Sequence, residues 1–245
     1  MPDPDVPNDT QIAPLGQDGV LVRFGDGATA HPAKARSFGA TVRGAGLDGI
    51  GEVATSLAST LVRFDPRAVS RATVEVHLRA LLATPREIAA TESRLWTIPA
   101  SFGGDDGPQL ADAAGLADLS PEAAIAEIAE TELSVLTIGF APGQPYLGHL
   151  PERWDLPRQT DLTPRVPEGA LVVALRQIVL FANPSPTGWR QVGRTAFRPF
   201  RPDRAEPFAL RAGDRIRFSP VDARTLRDLG QAPDGLGGAI CEGEA

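Results

Sequence analysis

Several reactive residue types are nearly missing from this sequence. Its 245 residues include one cysteine, Cys241, and one lysine, Lys34, and the three histidines lie far apart. A single cysteine can form no internal disulfide and no thiolate metal cage, which fits a reducing compartment. Without a His-x-x-x-His pair, a Gly-Lys-Ser/Thr motif or a well-placed lysine, zincin, P-loop and Schiff-base chemistry are excluded, and we expect no metal site.

Long hydrophobic runs and an excess of positive charge are also absent. No apolar stretch approaches the ~20 residues of a membrane helix, and the acidic start Met1–Asp5 lacks the features of a signal peptide. A net charge of −7 argues against nucleic acid as the main partner. We therefore expect a cytoplasmic protein that binds neither a membrane nor nucleic acid.

Positive charge is nevertheless concentrated in one part of the chain. Residues 139–220 contain 12 basic and 7 acidic side chains, a net charge of +5, whereas residues 1–138 contain 10 basic and 19 acidic ones. Any anionic ligand is therefore expected to bind within residues 139–220.

Glycine and proline are abundant, with 25 and 23 residues, which favours short strands joined by turns over a helical bundle. The patterning predicts an α+β fold, in which a small α/β N-terminal domain is followed by a small β-barrel. The predicted divisions are a disordered leader, an N-terminal α+β domain, the barrel domain and a flexible acidic tail, at residues 1–12, 13–90, 91–230 and 231–245. Gly44-x-Gly46-x-x-Gly49 matches a dinucleotide fingerprint but follows a weak helix and precedes a strand, so we interpret it as a loop.

The most unusual segment runs from Gly139 to Gly148. It holds three glycines, two prolines and the only tyrosine, Tyr146, directly after a predicted strand. Such a segment is either a barrel-corner turn with a packed aromatic or a stiff binding loop that presents one phenol. His149 comes next, either as a proton-transfer group or as a structural hydrogen-bonding residue.

Three arginines of the basic region lie beside rigid proline or glycine. Arg158 follows Pro157, Arg165 follows Pro164, and Arg194 follows Gly193. Guanidinium groups on a rigid backbone suit bidentate capture of carboxylate or phosphate, although solvated surface arginines are the ordinary alternative. The local excess of positive charge favours binding.

With these motifs the chain resembles the carboxyltransferase-domain, allophanate-hydrolase-subunit-1 family. That family includes one subunit of bacterial ATP-dependent 5-oxoprolinase and the histidine-kinase-inhibitor-like proteins. The resemblance spans about residues 12–221, and it includes Gly139-Phe140-x-Pro142-Gly143-x-Pro145-Tyr146-Leu147-Gly148, Pro157-Arg158, Pro164-Arg165-Val166-Pro167, Gln177, Gly188-Trp189, Gly193-Arg194-Thr195 and Gly213-Asp214-Arg215-Ile216-Arg217-Phe218. One departure is the turn near 176–179, where the family has Gly-Gln-Thr-Gly and this chain has Arg176-Gln177-Ile178-Val179.

The resemblance implies a cyclophilin-like β-barrel and a stable complex with a homologous second barrel subunit. It also implies ATP-dependent hydrolysis of a small anionic amide, with ATP and Mg handled by the complex, no prosthetic group, and no activity of this chain alone. Two other functions stay open: a regulator that binds and inhibits a sensor histidine kinase, and a carboxyltransferase component of a urea carboxylase-like system.

The candidate site residues follow from these motifs and from the resemblance. The candidate catalytic residues are Tyr146, which would position the substrate, His149, and Gln177, which would hydrogen-bond an amide. The candidate substrate-binding residues are Pro142, Gly143, Arg158, Arg165, Trp189 and Arg194.

Overall fold

The computed structural model describes residues 10–25, 31–83 and 94–243. The chain divides into two compact units, Met1–Thr91 and Glu92–Ala245.

The first unit is a four-stranded antiparallel sheet with two helices. Its elements are β1 (Thr10–Leu15), β2 (Gly19–Phe24), α1 (Pro32–Gly44), β3 (Ile50–Ser56), β4 (Ser59–Phe64) and α2 (Arg71–Ala83). The strand order is β1-β2-β4-β3. The core is built from alternate residues of β2 and β4 and from the apolar faces of α1 and α2, where Val74, Leu78 and Leu82 recur at helical spacing.

The predicted N-terminal leader extends to residue 12. Residues 1–9 lie outside the described residues, but Thr10–Leu15 pairs along its whole length with β2 and belongs to the sheet. The prediction is therefore wrong for residues 10–12, because Ile12 contributes to the core of this unit across from Val22.

The second unit carries most of the strands. Its elements are β5 (Leu95–Phe102), α3 (Leu110–Leu116), α4 (Pro121–Glu130), β6 (Leu133–Ile138), β7 (Pro145–Gly148), a 3₁₀ helix (Glu152–Trp154), β8 (Thr163–Val166), β9 (Ala170–Ala174), β10 (Gln177–Leu180), β11 (Ser185–Thr187), β12 (Arg190–Thr195), β13 (Arg215–Pro220), α5 (Ala223–Leu229) and β14 (Ile240–Glu242).

Seven of these strands close into a barrel. Their order is β12-β9-β10-β7-β6-β13-β5, and β12 also pairs with β5, which completes the ring. All neighbours are antiparallel except β5 and β13, which are parallel. The predicted fold class, a small α/β N-terminal domain followed by a cyclophilin-like β-barrel, is confirmed.

The two faces of the barrel wall hold different apolar clusters. Leu171 and Val173 of β9 point into the barrel core, whereas the alternate residues Val172 and Ala174 belong to a separate cluster on the outer face. Trp189 is part of that outer cluster, which gives one patch of the barrel exterior an aromatic cover.

The sequence predicts a flexible acidic tail over residues 231–245, and within residues 231–243 this is wrong. Ile240–Glu242 forms β14 and pairs with the first residues of β5. Residues 100–102 of β5 pair with β12, so the N-terminal half of β5 needs another partner on that side, and β14 supplies it.

Among the described residues, no helix is both long and apolar enough to cross a membrane.

Candidate functional site

The glycine- and proline-rich segment after β6 is partly a strand of the barrel. Pro145–Gly148 forms β7, which lies between β6 and β10. Tyr146 is opposite Val179 of β10, and Gly148 is opposite Gln177. The tyrosine is therefore fixed by sheet register on both sides rather than carried by a free loop.

Tyr146 and Gln177 share the outer face of the barrel. Leu147 between Tyr146 and Gly148 is fully buried in the barrel core, so its two neighbours face outwards. Tyr146 and Gln177 are then diagonal neighbours, with about 7–8 Å between their positions. Gly148 between them is buried, and a Cβ at this position would lie 2.6 Å from Cδ1 of Leu136, so close packing requires glycine here.

An aromatic and a cation border this face. The ring of Trp189 meets that of Tyr146 edge to face, with 6.3 Å between centroids and an interplanar angle of 84°. The guanidinium carbon of Arg158 lies 5.7 Å from the centroid of the Trp189 ring. Tyr146, Trp189 and Arg158, which belong to separate sequence motifs, are thus brought together.

Gln159 fixes the position of Trp189, and no sequence motif identified it as a site residue. Its side-chain Nε2 donates to the Trp189 carbonyl at 3.0 Å, and its backbone N–H donates to the Gly188 carbonyl at 2.7 Å. Gln109 in turn donates to Gln159 Oε1 at 2.6 Å. Only its place beside Arg158 could have suggested this role, because Gln109, Gly188 and Trp189 are distant from it in sequence.

The loop between β6 and β7 folds back on itself. The N–H of Gly139 donates to the Gln144 carbonyl at 3.0 Å, and the N–H of Gln144 donates to the Ala141 carbonyl at 3.1 Å. Gly143 has φ +71°, and a Cβ at this position would lie 2.5 Å from Cβ of Phe200. The structure thus gives Gly143 a steric reason to be glycine, while Pro142 is exposed at the loop surface.

Gln144 is a buried polar residue in the same loop. Its side chain is 1% exposed, and its Oε1 has no hydrogen-bond partner among the described residues. An unsatisfied buried acceptor costs roughly 1–3 kcal/mol, so the loop carries a local penalty immediately before Tyr146.

His149 directly follows β7, and its side chain is partly exposed. Partial burial of the ring and, secondly, the neighbouring Arg176 lower the pKa of His149 below its ordinary value. The imidazole is therefore neutral at neutral pH and can accept a proton, as the proton-transfer hypothesis requires.

Arg176 is a second residue of this site that is absent from the sequence-based candidates. It occupies the two-residue turn between β9 and β10, and its Nε donates to the Leu150 carbonyl at 2.9 Å. A sequence signal existed, since two short apolar strands joined by two residues normally carry Asn or Gly in that turn.

Two of the candidate arginines lie elsewhere. Arg165 is exposed on β8 and alternates with Val166, which belongs to the outer cluster, so the Arg165 side chain leaves the strand on the other face. Arg194 is opposite Ala170, four residues or about 13 Å along β9 from the position opposite Gln177. Its Nε donates to the Glu168 carbonyl, and it lines a separate pocket with Arg198 and Arg227.

The described residues hold no preformed cluster of metal ligands. They contain no group of three or more histidine, cysteine, aspartate or glutamate residues placed to hold a metal. The Gly44-x-Gly46-x-x-Gly49 segment connects α1 to β3, as the sequence predicted, whereas phosphate binding by this motif requires a strand before it and a helix after it.

Comparison with known proteins places most of the chain in one family. Residues 10–210 match the family described as the carboxyltransferase domain, subdomain C and D. The chain is 30% identical to a 5-oxoprolinase subunit of Bacillus subtilis over 225 residues, which cover 87% of this chain and 94% of that protein. It is 38% identical to the corresponding 5-oxoprolinase subunit of Escherichia coli O157:H7 over 134 residues, or 55% of this chain and 62% of that protein.

The fold is also found in a much larger enzyme. The crystal structure of the Kluyveromyces lactis urea carboxylase superposes with a TM-score of 0.75 at 16% identity, covering 95% of this chain and 24% of that one. At this identity the likeness concerns the fold alone.

Proposed function

The chain belongs to the carboxyltransferase-domain family, subdomain C and D, and from this premise we propose that it is one subunit of a heteromeric ATP-dependent amidohydrolase that acts on a small amide acid. The relatives named as 5-oxoprolinase subunits support a reaction of the 5-oxoprolinase type, in which a cyclic amide is opened by water.

The observation that carries this proposal is the outer face of β7 and β10. Tyr146 and Gln177 face the same side, and Trp189 with Arg158 forms one border. A side-chain amide is the natural partner of a substrate amide, because it offers both a donor and an acceptor. A phenol, an amide and a guanidinium group on one face of the barrel suit a small polar molecule with an amide bond.

Each residue has a distinct role in this scheme. Gln177 hydrogen-bonds the amide of the substrate, and Tyr146 positions it against the sheet. Arg158 stabilises the negative charge that develops on the amide oxygen when water attacks the carbon. His149, neutral because its pKa is lowered, accepts a proton during that attack.

In this scheme ATP and its magnesium ion are handled by the complex as a whole. The partner we propose is a homologous second barrel subunit. This chain alone is then expected to hydrolyse neither ATP nor an amide.

The test is co-expression with the homologous barrel subunit encoded nearest to this chain, followed by size-exclusion chromatography and an ATP-hydrolysis assay. We expect a co-eluting complex whose ATP hydrolysis is stimulated by 5-oxoproline and not by allophanate or urea. Stimulation by urea with a biotin carrier would favour a carboxyltransferase component instead. A chain that elutes alone and is inactive with every substrate would contradict the enzyme and favour the histidine-kinase regulator.

A further inference from the structure

The turn between β9 and β10 has a backbone that its residues do not favour. Leu175 and Arg176 form a two-residue connection with φ +52° and +62°. Two left-handed residues in a hairpin of this length define a type I′ turn, which normally carries Asn-Gly because other side chains are strained there. Neither residue is glycine, asparagine or aspartate, so something other than local preference keeps this conformation.

The surrounding backbone holds the turn firmly. The N–H of Leu175 donates to the Leu156 carbonyl at 2.9 Å and that of Arg176 to the Trp154 carbonyl at 2.9 Å. The N–H of Leu150 donates to the Arg176 carbonyl at 2.8 Å. Strained residues persist only where neighbouring structure fixes them in this way, and they are concentrated at binding and catalytic sites.

The Arg176 side chain is oriented by one bond and keeps most of its donors. Its Nε donates to the Leu150 carbonyl at 2.9 Å, which turns the guanidinium group towards the chain that leaves β7. Within residues 10–25, 31–83 and 94–243, this is the one side-chain hydrogen bond that the structure gives Arg176. The two terminal nitrogens remain available, and a guanidinium fork is suited to a carboxylate.

The position of Arg176 relative to the proposed site is defined by the sheet. Gln177 follows it directly and is opposite Gly148, and His149 follows Gly148. The Arg176 side chain also reaches the carbonyl of Leu150, the residue that follows His149. A ligand whose amide is bound by Gln177 therefore has Arg176 on one side and Tyr146 on the other.

We propose that Arg176 binds the carboxylate of the substrate and so makes this site specific for amides that carry an acid group. The inference rests on the proposed function and names the substrate class of the same site. It predicts that the carboxylate, and not the amide ring alone, provides most of the selectivity in binding.

The experiment compares two probes, 5-oxoproline and 2-pyrrolidone, which share the lactam ring and differ in the carboxylate. Calorimetric titration uses the complex of this chain with the second barrel subunit, as it co-elutes in size-exclusion chromatography. The first variant, Arg176→Gly, removes the cation and places glycine at a position with positive φ. The control, Leu175→Gly, also places glycine at a position with positive φ but keeps the cation. Because glycine adopts positive φ freely, both variants are expected to fold.

The wild type and Leu175→Gly should bind 5-oxoproline at least about tenfold more tightly than 2-pyrrolidone, because only 5-oxoproline can form a hydrogen-bonded charge pair with Arg176. Arg176→Gly should lose this preference while its affinity for 2-pyrrolidone stays unchanged, and Arg176→Lys should recover part of it. A preference that survives in Arg176→Gly would overturn the role of Arg176 and leave the proposed function standing. A wild type that binds both probes equally would refute the carboxylate assignment. A wild type that binds neither probe would refute both the carboxylate assignment and the proposed substrate.

A second measurement, made without ligand, tests whether the Arg176 guanidinium group lies beside His149. By NMR titration, the pKa of His149 should rise in Arg176→Gly and stay at the wild-type value in Leu175→Gly, because only the first variant removes the neighbouring cation. An unchanged pKa in Arg176→Gly would show that the guanidinium group does not face the site.

Discussion

Arg158 and Arg165 are similar in sequence and different in structure. Both are exposed, and each follows a proline, but only Arg158 lies over an aromatic ring next to Tyr146. The proline supplies a rigid backbone in both cases, so the deciding factor is the face of the strand or loop from which the side chain leaves. This difference makes the two residues a matched pair for testing the site.

Arg158→Ala in the complex should lower kcat for 5-oxoproline by about tenfold to a hundredfold, since a hydrogen bond to a charged group contributes roughly 1.5–3 kcal/mol. KM should change little, because the charge that Arg158 stabilises develops only during the reaction. Arg165→Ala should leave both constants within about twofold. Steady-state kinetics check this, and equal effects of the two substitutions would contradict the site as we place it.

His149 provides a pH-dependent test that needs no ligand. Its pKa is lowered from its ordinary value of 6.5 in the folded protein, so the unfolded chain binds the proton more tightly. The free energy of unfolding should therefore increase as the pH rises from the folded pKa to about 6.5, and reach its full value above that. His149→Asn should flatten this part of the profile and leave the value at pH 8 unchanged, which urea unfolding at a series of pH values would show. A slope as steep as in the wild type would mean that other groups cause it.

The conformation of the loop between β6 and β7 depends on one close contact. Gly143 has a left-handed backbone, and its α-carbon approaches Phe200, whose ring packs on Phe208 with 5.0 Å between centroids. Gly139 at the other end of the loop has no atom within 4 Å of the place a Cβ would occupy. The two glycines thus belong to one motif for different reasons.

Gly143→Ala should lower the free energy of unfolding by about 1–3 kcal/mol, because it combines an unfavourable φ with an overlap against Phe200. Gly139→Ala should change it by less than about 0.5 kcal/mol, as expected for a substitution away from any contact. Denaturant midpoints at constant m-value measure both. If Gly143→Ala proved neutral, the contact with Phe200 would not be what requires glycine here.

The elements that are predictable from sequence are those with local signals. Four apolar residues at helical spacing predict helix α2, and compact apolar runs between turn residues predict β2 and β4. Strand β7 escapes prediction because its proline and glycine lower strand propensity, and β14 because it has only three residues. Both strands also depend on partners that are distant in the chain. Arg176 has a local signal, a two-residue turn without Asn or Gly, but the backbone contacts with residues 150–156 that fix it are not visible in the sequence.

For the whole barrel, closure depends on contacts between the two ends of its sequence. Strand β5 begins the second unit and is parallel to β13, more than a hundred residues later, and the same β5 pairs with β12 to complete the ring. Such non-local pairing gains stability only after a long loop has been closed. A contact that fixes the starts of β5 and β13 relative to each other should therefore contribute more to the free energy of unfolding than an equivalent contact between sequence neighbours.

Arg94 and Asp214 make that contact. Arg94 Nη2 lies 2.6 Å from Asp214 Oδ2 and Nε lies 3.1 Å from Oδ1, with the two side chains only 8% and 6% exposed. The same carboxylate accepts the Arg211 N–H at 2.8 Å, and the guanidinium group lies 5.5 Å from the centroid of the Trp96 ring. The buried guanidinium group and the buried carboxylate are thus stabilised by protein groups and not by water.

Asp214→Asn should lower the free energy of unfolding by about 3–5 kcal/mol, because it leaves a buried guanidinium charge without its counter-charge. Glu206→Gln is the control, since the exposed Glu206–Arg211 pair at 3.3 Å should contribute less than about 1 kcal/mol and respond to salt. Adding Arg94→Met to Asp214→Asn should restore part of the loss, because the unpaired charge is then removed as well. If Asp214→Asn cost no more than Glu206→Gln, the pair would be dispensable and the β-strand ladder alone would hold β5 and β13 in register.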